Sequence, residues 1–265
     1  NKTLQNMNNT VFFEIQNRIA FITLNRPEVF NSFNRTMALA LQEIIKDLND
    51  NDDVRVITIT GAGKAFSAGQ DLAEAVEKDG PSFETILMEH YNPIIRLLRS
   101  SRKPIIAAVN GVAAGAGANI ALACDIVVAS KKASFIQAFS KIGLIPDSGG
   151  TYFLPRLVGI QKALAIMMTG DKISAVEAEQ MGLIYKVFEE EDFKNEVERF
   201  VLQIAEMPTK ALGYIKLLIN ESLNNNLEQQ LSLEVEYQKK AGLTYDFQEG
   251  VNAFLEKRKA IFKGK

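Results

Sequence analysis

The sequence predicts an α/β fold, with one spiral core of covered parallel strands followed by a helical C-terminal region. Three observations carry that expectation. Apolar, β-branched runs closed by glycine alternate with helical stripes up to about Gly159. Beyond that point helical patterns follow one another almost without interruption. The 265 residues are 47% hydrophobic and 23% charged, enough to bury a sizeable core and too few to demand two large domains.

The elements follow in order. Val11–Glu14 and Ile19–Leu24 are strand-like runs split by Gln16–Asn17–Arg18, the pattern of a hairpin. Asn25–Arg26–Pro27 breaks the chain, and Arg35–Leu48 then carries Met37, Leu41, Ile44, Ile45 and Leu48 at helical spacing. Val54–Thr60 reads as a buried strand ending at Gly61–Ala62–Gly63. Phe83–Ser100 is a helical run, Pro104–Val109 a strand closed by Asn110–Gly111, and a small-residue helix starts near Gly117 before a strand at Asp125–Ala129. Strand, loop and helix in this alternation argue for covered parallel strands. Past Gly159, Lys162–Met168, Ser174–Met181, Asp192–Glu206, Thr209–Ser222, Leu227–Ala241 and Asp246–Phe262 read as helices, interrupted by a strand at Ile184–Phe188. Ser174 with Glu177 three residues on makes a capping box. The expected organisation is a frayed tail or appended remnant over residues 1–9, a spiral core over 10–200 and a helical region over 201–265.

Composition excludes several classes of function. Thirty basic and 32 acidic residues are interspersed for a net charge of −2, so no basic stripe points to nucleic acid and no polybasic segment to a membrane surface. No stretch has the roughly 18 apolar residues of a spanning helix, and none at the N-terminus has signal length. Cys124 is the only cysteine, which rules out an intrachain disulfide and fits a reducing, cytoplasmic setting. One His, one Cys and no clustered ligand spacing argue against a metal. His90, inside a helical run, is expected to be structural or on the surface.

Three segments are rich in small residues: Gly61–Leu72, Val109–Asn119 and Gly143–Thr151. Glycine and alanine after a strand let a ligand approach the backbone and free N–H groups at a helix start to act as donors. Two such loops can converge on one carbonyl oxygen, the requirement of enolate chemistry. Gly115–Ala116–Gly117 lacks the lysine and hydroxyl of a Walker loop, and no dinucleotide fingerprint occurs in a strand–turn–helix setting.

The strings Ala65–Phe–Ser–Ala–Gly–Gln–Asp–Leu72, Ala108–Val–Asn–Gly–Val–Ala–Ala–Gly–Ala–Gly117 and Gly143–Leu–Ile–Pro–Asp–Ser–Gly–Gly–Thr151 resemble the crotonase (enoyl-CoA hydratase/isomerase) superfamily. Leu24–Asn–Arg–Pro27, Asn31–Ser–Phe–Asn34, Cys124–Asp125 and Thr169–Gly–Asp171 extend the resemblance in the family's order. Phe139–Asp147, Tyr91–Asn–Pro93 and Gly250–Arg258 narrow it to the type of isomerase that acts on epoxyphenylacetyl-CoA in phenylacetate degradation.

The resemblance implies a ββα spiral core, an acyl-CoA thioester substrate with no separate cofactor, and a homotrimer or dimer of trimers. It places an oxyanion hole at the backbone amides of Gln70 and Ala116, with Ala68, Gly69, Asp71, Leu72, Gly115 and Phe139 around the substrate. Losing one such donor typically raises a barrier by roughly 2.7–4 kcal/mol. Hydratases of the family carry catalytic glutamates at the positions matching Asn119 and Phe139, and neither residue here can activate water. A carboxylate stands instead at Asp147, the acid/base position of the phenylacetate-type isomerases, although Asp147 also suits an N-cap on the next helix. Its apolar neighbours predict a raised pKa. Asn119 is expected to orient the ligand or Asp147, and Phe135, Tyr152 and Phe153 join Phe139 as candidates for the acyl pocket. Lys263 and Lys265 are candidates for CoA phosphates. The resulting expectation is an acyl-CoA isomerase working through one carboxylate. A 3,2-enoyl-CoA isomerase of fatty-acid oxidation, an enzyme using Asp147 as a nucleophile, and a non-catalytic CoA-binding assembly subunit stand as alternatives.

Overall fold

A two-residue turn starts the architecture. Asn17 and Arg18 both adopt positive φ, 52° and 65°, the conformation of a hairpin turn whose twist matches its strands. The computed structural model describes residues 5–7, 9–78 and 80–265. Its strands are β1 (Gln5–Met7), β2 (Val11–Gln16), β3 (Ile19–Leu24), β4 (Val56–Gly61), β5 (Ala65–Ser67), β6 (Ile105–Val109), β7 (Val112–Ala114), β8 (Ile126–Ser130), β9 (Ser134–Ile136), β10 (Lys172–Ser174) and β11 (Lys186–Phe188).

The larger sheet runs β1-β2-β3-β4-β6-β8-β11, antiparallel over its first two pairs and parallel from β3 onward. Side chains alternate between its faces with period two. Ala20, Ile22, Leu24, Ile57, Ile59, Ile105, Ala107 and Val109 join the main core, while Ile19, Val56, Ile106, Ala108 and Val128 join a second cluster on the opposite face. Burial of both faces explains why these strands read as continuous apolar runs. The second face is covered by the helix Phe193–Ala205, whose Val197, Val201 and Ala205 recur every four residues.

The smaller sheet runs β10-β9-β7-β5. Each of β4, β6 and β8 turns within a few residues into β5, β7 and β9, so the core repeats strand, short strand and helix as a spiral. The helices Arg35–Asp50, Asn92–Ser100 and Ala116–Ala123 pack into its main core.

Several expectations are corrected by the fold. Within the segment read as a tail, residues 1–4 and 8 lie outside the described residues, and the backbone of Gln5–Met7 pairs with β2 as an edge strand. The boundary at residue 200 falls inside Phe193–Ala205, whose buried stripe belongs to the core. The helical run from Phe83 to Ser100 contains a π-helical stretch at Ile86–Tyr91. Pro93 supplies no N–H there, and Gln42 Nε2 donates to the carbonyls of Glu89 and His90 at 2.7 and 3.0 Å. The last helix ends at Leu255 rather than Phe262. The tail folds back because the buried Asp246 and Glu249 carboxylates accept the backbone N–H groups of Lys263, Gly264 and Ile261. The capping box of Ser174 and Glu177 is present as expected.

Candidate active site

The parallel order of β5, β7 and β9 brings the small-residue loops together. Residues just past the carboxyl ends of adjacent parallel strands must meet at one edge of the sheet. Here they are Ala68–Gln70, Gly115–Ala116 and Ala138–Phe139, and a cavity of about 570 Å³ opens between them. Ile86, Leu87 and Tyr91 of the π-helical stretch and the segment from Leu144 to Thr151 close its other walls.

The first loop is held from behind by the turn before the helix Arg35–Asp50. Asn31 Nδ2 donates to the carbonyls of Ala62 and Ala65, both at 2.9 Å, and Ser67 Oγ donates to Asn31 O at 2.8 Å. Phe33 then bridges the loop: its N–H donates to Gly69 O at 2.7 Å and its carbonyl accepts from Asp71 N–H at 2.8 Å. In a parallel bridge the intervening residue turns its own peptide groups to the opposite side. The Gln70 N–H is therefore directed away from Phe33, and it has no protein partner among the described hydrogen bonds.

Ala116 opens the helix Ala116–Ala123, so its N–H has no intrahelical acceptor. Gly69 lets the two loops touch. Its φ of +92° and the 2.9 Å that would separate a Cβ from Ala114 O both exclude a side chain, and the same Cβ would lie 3.3 Å from Ala116 N. Gln70 and Ala116 thus both line the cavity, each with a backbone N–H that has no protein acceptor among the described hydrogen bonds.

Asp147, half-buried, lines the same cavity, as do Leu144, Ile145, Pro146 and Phe139. Burial pushes its carboxyl up to about 6, against the opposing pull of the Ser148 hydroxyl, which donates to Oδ1 at 2.8 Å. The carboxylate does not cap the next helix. That helix, Gly150–Val158, takes Gly149 as its N-cap, and only the Asp147 carbonyl engages it, accepting Gly150 N–H at 2.8 Å. Ser148 holds a left-handed φ of 51°, uncommon for a residue with a side chain.

The structure redistributes the other candidates. Ala68, Leu72, Gly115 and Phe139 line the cavity, whereas Gly69 acts through backbone approach. Asp71 turns away: Oδ1 caps Ala73 N–H at 3.1 Å and Oδ2 pairs with Arg26 at 2.9 Å. Asn119 is buried behind the wall, where Nδ2 donates to the Asp147 carbonyl at 2.9 Å and Oδ1 accepts from Gln137 at 2.7 Å. It holds the Asp147 peptide and does not line the cavity. Phe135 is core, and Tyr152 and Phe153 pack on each other and on arginines outside the cavity. Phe83 and Tyr91 supply aromatic surface in their place. His90 is buried beside Arg35, and burial lowers its pKa. Lys263 lies over the Tyr245 ring of its own chain, and Lys265 O accepts from Asp246 N–H. Gln137 carries no signal in the sequence that marks it for the site. Ser148 and Tyr91 lie in strings that carry the resemblance, Gly143–Thr151 and Tyr91–Asn–Pro93, but the resemblance assigns neither residue a role.

The chain belongs to the enoyl-CoA hydratase/isomerase family, whose profile matches residues 14–265. Among curated relatives it is 43% identical over 258 residues to the 1,2-epoxyphenylacetyl-CoA isomerase of Escherichia coli K12, covering 96% of this chain and 98% of that protein. A Rhodobacter capsulatus protein described as a "probable enoyl-CoA hydratase" is also 43% identical, over 97% of this chain and 98% of its own length. The trans-2-decenoyl-[acyl-carrier-protein] isomerase of Streptococcus mutans is 37% identical over 96% of this chain and 98% of that one. Among solved structures, the enoyl-CoA hydratase subunit I of Geobacillus kaustophilus superposes with a TM-score of 0.90 at 35% identity, over 97% of this chain and 98% of that one. The family makes the chain an enzyme of acyl-CoA thioesters; overall identity does not separate isomerase from hydratase.

Proposed function

We propose that the protein is an acyl-CoA isomerase that forms an enolate with Asp147 as its single acid/base. The observation that carries the reading is that Asp147 is the one carboxylate among the described residues lining the cavity. Hydration in two-carboxylate fashion would need a second, and the matching wall position is Phe139. Asp147 takes a proton from the carbon next to the thioester. The electron pair moves onto the thioester oxygen, which the Gln70 and Ala116 amides stabilise, and the proton returns elsewhere on the acyl group. A carboxyl with a pKa of about 6 is matched to both halves of that cycle near neutral pH.

The favoured reaction is conversion of epoxyphenylacetyl-CoA to oxepin-CoA, supported by the 43% identity to the E. coli isomerase and by Phe83, Tyr91 and Phe139 around the cavity. A second reading is double-bond migration in a straight-chain 3-enoyl-CoA, favoured by the 37% identity to the decenoyl isomerase. The unpaired, buried Cys124 supports a cytoplasmic setting. Exposed Ile160, Leu164 and Met168 on the helix Ile160–Thr169 support burial in a trimer. No helix among the described residues is long and apolar enough to cross a membrane.

The test is incubation with the ring epoxide, a 3-enoyl-CoA and a 2-enoyl-CoA, with products followed by mass and ultraviolet absorbance. Isomerisation without a mass change, lost in Asp147→Asn, is the expected result. Efficient addition of water to the 2-enoyl-CoA refutes the one-carboxylate reading.

A further inference from the structure

Tyr91 touches the cavity, yet proton transfer by Asp147 gives it no task. Its ring is fully buried edge-on against Phe33, with centroids 6.0 Å apart. Its hydroxyl donates to Gln70 Oε1 at 2.7 Å. Gln70 Nε2 in turn donates to Glu74 Oε2 at 3.1 Å and to Asp71 O at 3.2 Å. Glu74 Oε1 accepts the Arg35 backbone N–H at 2.9 Å. The Gln70 side chain is therefore anchored through Oε1 to Tyr91 of the π-helical stretch and through Nε2 to Glu74, and the Gln70 backbone N–H has no protein partner among the described hydrogen bonds.

The π-helical stretch aims this contact. One extra residue in the turn rotates the later residues by about 100° around the helix axis relative to an uninterrupted α-helix. Tyr91 closes that stretch. An α-helical path through Ile86–Tyr91 would carry the hydroxyl away from Gln70.

We propose that Tyr91 is a positioning residue: through the Gln70 side chain its hydroxyl holds the Gln70 amide in the orientation that stabilises the enolate oxygen. The inference rests on the enolate mechanism proposed for Asp147. Burial first, and then the charges of Asp147, Glu74 and Asp71, push the phenol well above its usual range, so it stays a donor across the working pH. Because the amide meets full negative charge only in the enolate-like transition state, the clamp acts on the rate of deprotonation and leaves thioester binding nearly unchanged. A misplacement of about 1 Å at a reacting centre is enough for a loss near 100-fold.

The experiment is exchange of the α-protons of phenylacetyl-CoA in D₂O, read by mass spectrometry. It isolates enolate formation from any later rearrangement. The α C–H bond breaks, Asp147 takes the proton, the electron pair rests on the thioester oxygen, and a deuteron returns from Asp147 after exchange with solvent. Tyr91→Phe is expected to slow exchange about 10- to 100-fold with KM within about twofold. Gln70→Ala, which cuts the same link from the other end and keeps the amide, is expected to do the same. The Tyr91→Phe/Gln70→Ala double variant should be no slower than the slower single one. Exchange by Tyr91→Phe within twofold of the unmodified enzyme overturns the proposal. So does a double variant in which the two losses multiply, because Tyr91 would then act without Gln70. An unmodified enzyme that exchanges no α-protons sinks the enolate reading and the clamp together, whereas normal exchange with no isomerisation of the ring epoxide sinks only the substrate assignment.

Discussion

Asp147→Asn should make the protein more stable at neutral pH while removing its activity. The carboxyl is held at about 6 against an ordinary value of 3.8, chiefly by burial. A difference of about 2 units, at ~1.36 kcal/mol each, corresponds to ~3 kcal/mol set against folding when the group is ionised. The sign comes from proton counting. Between pH 3.8 and about 6 the folded state binds more protons at Asp147 than the unfolded chain, so this contribution to stability falls as pH rises through that window. Above about pH 7 the penalty is complete, and below about pH 4 it is gone. Asparagine keeps an acceptor for the Ser148 hydroxyl, which sits 2.8 Å from Oδ1, and carries no charge. Urea unfolding of both proteins at pH 7.5 should show the variant stabilised by up to ~3 kcal/mol, with the gap closing toward pH 4.5. In the unmodified enzyme kcat/KM should rise through a single ionisation near 6 and then level off, since only the carboxylate can accept the proton. The variant should lose about 10²- to 10⁴-fold in kcat. Equal stability of the two proteins at pH 7.5, or a rate that is flat from pH 5 to 7, would refute the argument.

Four further substitutions have outcomes that follow from the structure. Gly69→Ala must force a side chain into φ +92° and to within 2.9 Å of Ala114 O; it should lower kcat at least 100-fold and destabilise by ~1–3 kcal/mol, checked by steady-state kinetics with thermal melting. Asn119→Ala frees the Asp147 carbonyl and strands the Gln137 side chain, so kcat should drop about tenfold with KM little changed, as expected for a misaligned base. Gly150→Ala should reproduce that loss, because a Cβ there would lie 2.4 Å from Asn119 Nδ2; normal activity in both would contradict the assigned role. Lys216→Met leaves the partly buried Asp125 without its 2.8 Å partner, and urea unfolding should show a loss of about 3 kcal/mol. A loss below about 1 kcal/mol would mean that Arg99, 3.6 Å from Asp125, already suffices.

The long elements were legible in the sequence because their signals are local. Arg35–Asp50 buries Met37, Leu41, Ile44, Ile45 and Leu48 at the spacing the sequence displays, and Thr209–Ser222 matches its predicted ends. The strands of the larger sheet read as continuous apolar runs because both of its faces are covered. The short strands β5, β7, β9 and β10 were not legible. Three residues cannot establish a period, and their glycine-rich surroundings resemble loops. Those strands nevertheless assemble the site, by setting Gln70, Ala116 and Phe139 side by side.

By itself the sequence determined the fold class and the residue types at three positions of the site: asparagine at 119, phenylalanine at 139 and aspartate at 147. Residue type is a local property, and these statements needed nothing else. Direction is a long-range property, and the tertiary structure decided it. Asp71 and Asp147 are both aspartates in glycine-rich loops ahead of a helix, yet one caps that helix and pairs with Arg26 while the other faces an apolar cavity. Arg26 lies 45 residues from Asp71, and Asn119 lies 28 from the carbonyl it holds. No local pattern encodes contacts at that separation. They form when the spiral stacks its parallel strands, and the resulting burial raises the Asp147 carboxyl to about 6.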